Sequence, residues 1–342
     1  MKAEKSAVAT EINFIGVDDG RFGIKVVTGD GKELYVPSRV SSGAQVMSIA
    51  GDDDSMYLTE EGNTYTVSEN LSAIDTRFAD YDHSDIVRVL VNHALIKAGY
   101  AGKQVKIVTG MPVGAYFNGM SVNDDLIERK RGNLLKKKAT NRNPNIKSPE
   151  ILNVSVAPEA IAAFFDLLID MNGEVNASIE KMAAAGPIGI VDIGGETTDT
   201  AVIINAGKAI DNARSGTAKI GTLSLAEAVK LRLQQKFNID AINPAKLEQA
   251  VSSGQFALYG TQHDVNDLLG EEKTVLAAQI IEEMKRKLRD ASDLEAVFFV
   301  GGGALLLKEQ IKNQFQHAQI VDGAQFSNAR GMYKIAKFVK KD

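Results

Sequence analysis

Two eight-residue windows of the sequence combine aspartate with glycines and small hydroxyl residues. The first runs from Asp18 to Lys25 and the second from Asp192 to Asp199. Proteins hold phosphates with backbone N–H groups, cations and metal ions, and small residues leave the backbone open to them. Both windows therefore predict phosphate-binding turns, with Asp18 and Asp192 beside Mg²⁺ and Lys25 neutralising phosphate charge. The candidate cofactor-binding residues here are Asp18, Asp19, Gly20, Arg21, Phe22, Lys25, Gly194, Gly195, Glu196, Thr197, Thr198 and Asp199.

A third small-residue segment, Gly301-Gly302-Gly303-Ala304, follows an apolar strand pattern. A backbone without large side chains can closely approach an α-phosphate, a ribose or an adenine. Each of the three segments taken alone is common in ordinary turns and loops. Their combination in this order is typical of a nucleotide site.

Each window needs two strands to hold it. Apolar runs flank both turns, at Phe14–Asp18 and Ile24–Thr28 in the first and at Ile188–Asp192 and Asp199–Ile204 in the second. Such runs around a tight turn predict a β-hairpin. Because the same hairpin occurs twice, the sequence predicts two related lobes.

Helical periodicity fills much of the remaining chain. Ser84 is predicted to cap a helix that ends at Gly99, and Pro158 to open another helix. Residues 36–80 are polar with weak alternation, and we expect a small inserted subdomain there. Further helices are predicted at 121–140, 222–236, 272–290 and 327–339.

Composition excludes several classes of protein. The 342 residues are 44% hydrophobic and 24% charged, with a net charge of −5, which suits a packed globular protein and gives no overall basic surface for nucleic acid. The chain has no cysteine, its four histidines show no metal-binding spacing, and no signal core or bilayer-spanning apolar run is visible. We therefore expect a cytoplasmic protein without membrane contact. The basic run Arg129–Lys138 is interpreted as a solvated helix face, with contact to DNA or to a neighbouring subunit as the alternative.

The three glycine-containing segments resemble those of a known superfamily. Ile15–Gly20 is similar to the first phosphate motif of the actin, Hsp70 and sugar-kinase superfamily, Ile190–Asp199 to its second, and Val300–Ala304 to its adenosine motif. Ala157–Ala160 and Asn328–Met332 sit where this superfamily has its hinge segments. The resemblance implies an α/β, actin-like (ribonuclease-H-like) fold of two duplicated lobes with an interdomain nucleotide cleft.

Within the superfamily the chain most resembles ParM (StbA), the actin-like plasmid segregation proteins. Segments Tyr81–Gly99, Val108–Phe117 and Leu126–Lys130 carry this likeness, which extends from about residue 12 to 340 and is weak in 36–80 and 235–270. It implies a lobe I of 1–170 plus 325–342, with an inserted subdomain at about 36–84. Lobe II would be 171–324, with an insert at about 221–290. The leader 1–13 is longer than the family pattern, and no role is assigned to it.

The resemblance also assigns roles to residues. Asp18 and Asp192 would hold the Mg-nucleotide, and Glu159 would orient the attacking water, so that Glu159 and Asp192 are the catalytic candidates. The nucleotide is expected to be ATP, with GTP as the alternative. The Gly194–Thr198 turn would bind the β- and γ-phosphates. The remaining candidates near the ribose, the base or the hinge are Glu282, Lys285, Arg286, Gly301, Gly302, Gly303, Ala304, Asn328 and Met332.

The implied function is that of a slow Mg-dependent ATPase that polymerises head to tail. Nucleotide hydrolysis would control filament stability, and a DNA-binding adaptor at a plasmid centromere would link the filament to plasmid DNA. Three alternatives remain open at this point. They are a small-molecule kinase of the same fold, a chaperone-like ATPase, for which the chain leaves no room for a peptide-binding domain, and a cell-shape or cell-division filament protein.

Overall fold

A computed structural model describes residues 12–47, 49 and 54–339 of the chain. The leader assigned to residues 1–13 therefore lies almost entirely outside the described residues. The strands of lobe I are β1 (Asn13–Asp19), β2 (Gly23–Val27), β3 (Glu33–Pro37), β4 (Val40–Ser42), β5 (Met56–Thr59), β6 (Thr64–Val67), β7 (Gln104–Met111), β8 (Phe117–Asn118), β9 (Ser121–Val122), β10 (Ala139–Asn141) and β11 (Glu150–Pro158). Its first helices are α1 (Asp85–Leu95), α2 (Val113–Tyr116), α3 (Asp124–Lys136) and α4 (Ile161–Leu168).

The main sheet of lobe I has the order β11-β7-β1-β2-β3. β1 pairs antiparallel with β2 and parallel with β7, and β7 pairs parallel with β11. Ile15 and Val17 on β1 are fully buried, as expected for a central strand that is covered on both faces. The carboxyl ends of the parallel strands therefore meet at one edge of the sheet, next to the β1–β2 turn.

The inserted subdomain contains more regular structure than its weak alternation suggested. Strands β10, β5, β6 and β4 form a second, antiparallel sheet in that order. Tyr57 anchors this sheet, because its ring is fully buried and its hydroxyl pairs with His93 Nδ1 at 2.9 Å. The predicted cap of α1 is confirmed, since Ser84 Oγ accepts from the Val87 N–H, and Gly99 adopts φ 97° after the helix ends.

Lobe II repeats the architecture of lobe I. Its strands are β12 (Ile188–Ile193), β13 (Thr198–Ile204), β14 (Ala209–Ile210), β15 (Gly216–Ala218), β16 (Gln255–Leu258), β17 (Thr261–Asp264), β18 (Ala296–Val300) and β19 (Ala318–Ile320). Its helices are α5 (Ala177–Ala185), α6 (Thr222–Phe237), α7 (Pro244–Ser253), α8 (Asn266–Leu288), α9 (Gly302–Leu306) and α10 (Lys308–Ile311).

The duplication predicted from the two windows is visible in the strand register. The second main sheet has the order β14-β13-β12-β18-β19, in which β12 corresponds to β1 of the first sheet. Asp18 lies opposite Lys25 in the first hairpin, and Asp192 lies opposite Asp199 in the second. The ends of the two sequence windows are thus paired residues on neighbouring strands in both lobes.

The chain returns to lobe I through α11 (Ser327–Lys334), which continues as a wider turn at Ile335–Val339. Two glycines allow this return. A Cβ on Gly331 would lie 1.7 Å from the carbonyl oxygen of Ala162 on α4, and a Cβ on Gly16 would lie 1.9 Å from that of Ala329. The backbone of α11 therefore touches both α4 and β1 directly.

Several boundaries differ from the sequence-based predictions. Pro158 ends β11 instead of opening a helix, and the segment 121–140 contains strand residues on both sides of α3. The helix predicted at 272–290 begins earlier, at Asn266, and α7 was not predicted because its apolar face is short. Among the described residues, none of the helices is long and apolar enough to cross a membrane.

Candidate functional site

A cavity of about 930 Å³ lies between the lobes, and all three small-residue segments line it. The two hairpins face it from opposite sides, and the loop after β18 closes its far end. The predicted residues that line this cavity are Asp18, Asp19, Gly20, Arg21, Phe22, Lys25, Glu159, Asp192, Gly194, Gly195, Glu196, Thr197, Gly301, Gly302, Gly303 and Asn328.

Asp18 and Lys25 form an ion pair inside the first hairpin. Lys25 Nζ lies 2.8 Å from Asp18 Oδ2, as the cross-strand register requires. Burial disfavours the charge of Lys25, but the carboxylate of Asp18 outweighs it and raises the lysine pKa. A permanently charged ammonium group therefore stands at the cavity wall.

Asp192 occupies the equivalent position in lobe II. Its Oδ2 accepts a hydrogen bond from Asn328 Nδ2 at 2.6 Å, and the side chain is almost fully buried. Burial, followed by repulsion from Asp199 and Asp18, raises the pKa of Asp192 to about 7. Asn328 also accepts from the Ala160 N–H at 3.1 Å, so it connects Asp192 to the segment that carries Glu159.

Glu159 lies at the junction between β11 and α4. Its N–H donates to the Met111 carbonyl at 2.9 Å, and Ala160 follows with φ 60°. Gly110 provides room for the carboxylate, because a Cβ there would lie 2.8 Å from Glu159 Oε1. Burial, together with repulsion from Asp199, Asp18 and Asp192, raises the pKa of Glu159 well above its usual value.

Asp18, Asp192 and Glu159 thus face one cavity, and the Lys25 ammonium lies beside Asp18. Such a concentration of negative charge is relieved by a cation or by protons. Within the described part of the chain, no three acidic, histidine or cysteine side chains form a ready metal-ligand set. A site with one or two carboxylates suits Mg²⁺, which keeps most of its waters.

Glycines bring the backbone of both lobes to the cavity. A Cβ on Gly195 would lie 2.7 Å from the Phe22 Cβ, so the two hairpins touch at their tips. Gly301 has φ 84°, and a Cβ there would lie 2.3 Å from Asp192 Oδ1. Only glycine fits at Gly301, because both the backbone conformation and the space exclude a side chain.

Lys130 corrects the interpretation of the basic run. It is 1% exposed, lies 2.9 Å from Asp19 Oδ2 and 3.0 Å from Asp82 Oδ1, and Asp19 also accepts from Thr109 Oγ1 at 2.6 Å. Lys130 therefore forms a buried ion pair with Asp19, the last residue of β1, and does not belong to a solvated helix face. Arg129, in contrast, is largely exposed.

Arg21 is also held by protein groups. Its Nη1 donates to the carbonyls of Thr76 and Phe78, both at 2.7 Å, and the guanidinium pairs with Asp82 and Glu196. Most of its N–H groups are therefore engaged, although the side chain borders the cavity. Arg21 acts through these neighbours and not as a free phosphate ligand.

Several predicted site residues do not reach the cavity. Thr198 donates to the Ile220 carbonyl, Asp199 accepts from the Val113 N–H, Thr217 and Thr197, and neither residue lines the cavity. Ala304 is buried in the core of lobe II, and Met332 in a cluster with Val108. The cavity lining also does not include Glu282, Lys285 and Arg286, because α8 turns this face to solvent, where Arg286 pairs with Glu282.

Sequence reasoning missed another group of lining residues. They come from β15 and the residue after it, from the first turn of α6, from α7 and from α9, and none of them belongs to a glycine-rich segment. The only sequence signal for those on α6 and α7 was their place in the predicted insert of lobe II, and the others had none. These residues are Thr217, Lys219, Thr222, Glu248, Val251, Ser252 and Leu306.

Comparisons with known proteins agree with this geometry. Residues 14–170 match the family model described as plasmid segregation protein ParM, N-terminal. Residues 190–313 match that of the archaeal actin homologue MreB-like, C-terminal. None of the curated proteins compared matches the chain significantly.

Solved structures share the fold over nearly the whole chain. The non-polymerisable quadruple mutant of pCBH ParM is 20% identical with a TM-score of 0.75, over 96% of this chain and 99% of that one. ParM in a 15-stranded filament from Clostridium botulinum is 19% identical, with a TM-score of 0.73 and the same coverage. Ta0583, an archaeal actin homologue in complex with ADP, is 20% identical with a TM-score of 0.74, over 94% of this chain and 98% of that one. The chain therefore has the actin-like two-lobe fold, and its residues 14–170 resemble the ParM/StbA proteins.

Proposed function

We propose that the chain is a nucleotide-driven, filament-forming actin-like protein that segregates plasmid DNA. It binds ATP with Mg²⁺ in the cavity between the lobes and hydrolyses it slowly. The observation that carries this proposal is that Asp18, Asp192 and Glu159, from both lobes, line a single cavity beside two glycine-rich hairpins. The structure of Ta0583 in complex with ADP supports nucleotide binding in a protein of this fold.

The residues present fit a metal-bound nucleotide. Asp18 and Asp192 would hold Mg²⁺ through few direct ligands. Repulsion between their carboxylates, which adds to burial in raising the pKa of Asp192, would be relieved by the charge of the metal ion. The metal would supply charge neutralisation on the phosphates. Lys25 adds a second positive charge, and the glycines of both turns expose backbone N–H groups to the phosphates.

Glu159 is the best candidate to position a hydrolytic water. Its carboxylate borders the cavity, and Gly110 leaves the space that its present position needs. An oriented carboxylate supplies only part of the acceleration, and Arg21, which lines the cavity, is already engaged by protein acceptors instead of stabilising the transferred phosphoryl group. We therefore expect slow turnover by the monomer.

Assembly and DNA segregation are proposed from the family. The ParM relative from Clostridium botulinum was solved as a filament, which supports head-to-tail self-association of this chain. Hydrolysis would then control filament stability by removing contacts that favour the closed lobes. With a net charge of −5, the chain is expected to reach plasmid DNA indirectly, through a DNA-binding adaptor at the centromere, in the cytoplasm.

The alternative of a small-molecule kinase loses its main candidate residue. A kinase of this fold needs a carboxylate that is free to face an acceptor hydroxyl. Asp199, at the end of the second window, is a carboxylate that could face such a substrate, but it already accepts hydrogen bonds from Val113, Thr217 and Thr197 and does not line the cavity. The filament function is therefore the better proposal.

Right-angle light scattering of the purified chain, with phosphate release followed in parallel, tests the proposed function. Mg-ATP, Mg-GTP, Mg-ADP and no nucleotide are compared. Scattering should rise only with a triphosphate and decay as phosphate appears. The filaments should not co-sediment plasmid DNA without an adaptor. Tight ATP binding with a flat scattering trace would contradict the filament function and favour the kinase.

A further inference from the structure

Among the described residues, three ion pairs cross the cleft, and all have the same orientation. In each pair lobe I provides an arginine and lobe II a glutamate. Arg39 Nη2 lies 2.7 Å from Glu248 Oε2, and Arg77 Nη1 lies 2.6 Å from Glu227 Oε2. The third pair is Arg21 with Glu196, which joins the tips of the two hairpins. We refer to these three pairs as the cleft clamp.

The arginines of the clamp are fixed by lobe I itself. Thr76, Phe78 and Asp82 hold Arg21, and its guanidinium also lies 5.0 Å from the centre of the Tyr81 ring. In the same way, Arg39 donates to the Glu69 carbonyl at 3.0 Å, and Arg77 pairs with Asp75 at 2.7 Å. These groups would keep their positions if the lobes moved apart.

The glutamates are held differently. In the part of the chain that the structure describes, the three carboxylates accept hydrogen bonds only from lobe I side chains. Glu248 has a second lobe I partner, Tyr35, whose hydroxyl lies 3.3 Å from Glu248 Oε1. The Tyr35 ring packs on Gly23 of the first hairpin, where a Cβ would lie 2.1 Å from the ring. Tyr35 therefore connects Glu248 of lobe II to the first hairpin of lobe I.

We propose that Arg21, Arg39 and Arg77 are positioning residues that close the cleft electrostatically and set the spacing of the two hairpins. Lobe I presents a fixed positive edge, and lobe II presents glutamates that, among the described residues, have no competing partner in their own lobe. The lobes can therefore close on this charge pattern before any nucleotide is bound. The inference concerns lobe geometry and does not depend on the proposed function.

Salt dependence follows from the exposure of the pairs. The Arg77–Glu227 pair is 37% and 54% exposed, whereas the Arg21–Glu196 pair is 17% and 21% exposed. Exposed pairs are screened by salt and partly buried pairs much less. The outer pair should therefore weaken first as ionic strength rises, and the inner pair should hold the hairpins longest.

Distance measurements on the nucleotide-free protein test the clamp. The chain has no cysteine, so the variant E60C/Q262C can be labelled specifically on exposed positions of the two inserted subdomains, for pulsed EPR or single-molecule FRET. The distance between the labels should increase with KCl concentration. It should already be long at low salt in the variant E196Q/E248Q.

Two further variants separate the clamp from general damage to the fold. The charge swap R39E/E248R should restore the short distance that E248R alone loses. The substitution Glu271→Gln, which removes an ion pair with Arg232 inside lobe II, should change nothing. A distance that is insensitive to salt and to E196Q/E248Q, or a swap that fails to restore it, would overturn the proposal.

Turnover measurements add a readout that depends on nucleotide. Glu196→Gln should raise KM for the nucleotide about tenfold with little change in kcat, because closure contributes binding in ground and transition states alike. An unchanged KM in a variant whose lobes have opened would overturn the positioning role. If no nucleotide binds to the wild type, the proposed function fails while the distance measurements still decide the clamp.

Discussion

Asp192 is charged in a place that disfavours its charge. Its pKa of about 7, compared with an ordinary value of 3.8, means that the folded protein binds a proton there more tightly than the unfolded chain. The stabilising effect of that proton is fully present below pH 3.8 and is lost as the pH rises through 7. In the nucleotide-free protein, ionisation of Asp192 therefore lowers the free energy of unfolding.

The substitution Asp192→Asn should reverse this effect. An asparagine oxygen can still accept from Asn328 but carries no charge. We expect the variant to exceed the wild type in free energy of unfolding by roughly 4 kcal/mol at pH 8, with the difference vanishing near pH 4. Urea unfolding at several pH values, without metal or nucleotide, measures this difference. If the free energies of unfolding of the two proteins changed with pH in parallel, the raised pKa of Asp192 would be contradicted.

Glu159→Gln should separate nucleotide binding from hydrolysis. The amide keeps the size of the side chain and removes one of the like charges near Asp18 and Asp192, so affinity should stay within a few-fold. Loss of a positioned carboxylate should slow single-turnover phosphate release by about 10²- to 10⁴-fold. Glu150→Gln, at the exposed start of the same strand, is the matched control. Normal phosphate release by Glu159→Gln would exclude the proposed role.

For single residues, the sequence was informative where chemistry constrains the residue type. Asp18, Asp192 and Gly301 line the cavity between the lobes, as predicted, because few other residue types could replace them at these positions. Lys130 escaped prediction because its partners, Asp19 and Asp82, are distant in sequence. A charged helix residue looks solvated until the fold shows what covers it.

At the scale of elements, the second hairpin depends on α6 for its shape. The Thr222 N–H donates to the Gly194 carbonyl at 3.1 Å, and the Leu223 N–H to the Gly195 carbonyl at 2.8 Å. The first N–H groups of α6 therefore fix the turn of the hairpin. The contact of this turn with Phe22 sets the width of the cleft at the hairpin tips.

Gly195→Ala should disturb this contact without unfolding either lobe. The new methyl group would lie 2.7 Å from the Phe22 Cβ, so the hairpin tips must separate. We expect nucleotide affinity to fall by about tenfold or more, by the general cost of misplaced binding groups, as measured by nucleotide titration. Gly270→Ala, on α8 with open space around it, is the control and should leave affinity unchanged. Unaltered affinity in Gly195→Ala would show that tip spacing is unimportant.

The elements themselves were predictable to different degrees. Both hairpins followed from their apolar strands and glycine turns, and α1 followed from its cap at Ser84. The sheet of the first insert was not predicted, because its strands are only three or four residues long and too short to show a clear alternation. Pro158 was misinterpreted, since a proline is also compatible with an edge strand, and β11 is the edge strand of its sheet.

At the scale of the whole molecule, stability depends on the crossing of α11 and α4. Gly331→Ala would place a methyl group 1.7 Å from the Ala162 carbonyl oxygen, a backbone atom that cannot move without the helix. We expect the free energy of unfolding to fall by about 1–3 kcal/mol or more, as for other overpacked sites. Gly132→Ala, on α3 in open space, is the control. Equal chemical denaturation midpoints for the two variants would refute this expectation.

The duplicated architecture was the part of the molecule that the sequence predicted best. A repeated hairpin requires two lobes, and the strand orders agree with that. The closed contacts between the lobes could not be predicted, because Arg39, Arg77 and their partners belong to segments with no repeated pattern. Such pairs arise from the relative placement of two units, which no local sequence signal specifies.

The return of α11 to lobe I also has a consequence for synthesis on the ribosome. Strand β1 and helix α4 emerge before lobe II, whereas α11, which covers both, is translated after all of lobe II. All of lobe II is made in between and can fold first on its own apolar core. The surface of the nascent first lobe that Ala329, Met332 and Tyr333 later bury must therefore stay exposed until α11 has been translated. This is the stage at which the newly made chain is most exposed to aggregation and most dependent on chaperones.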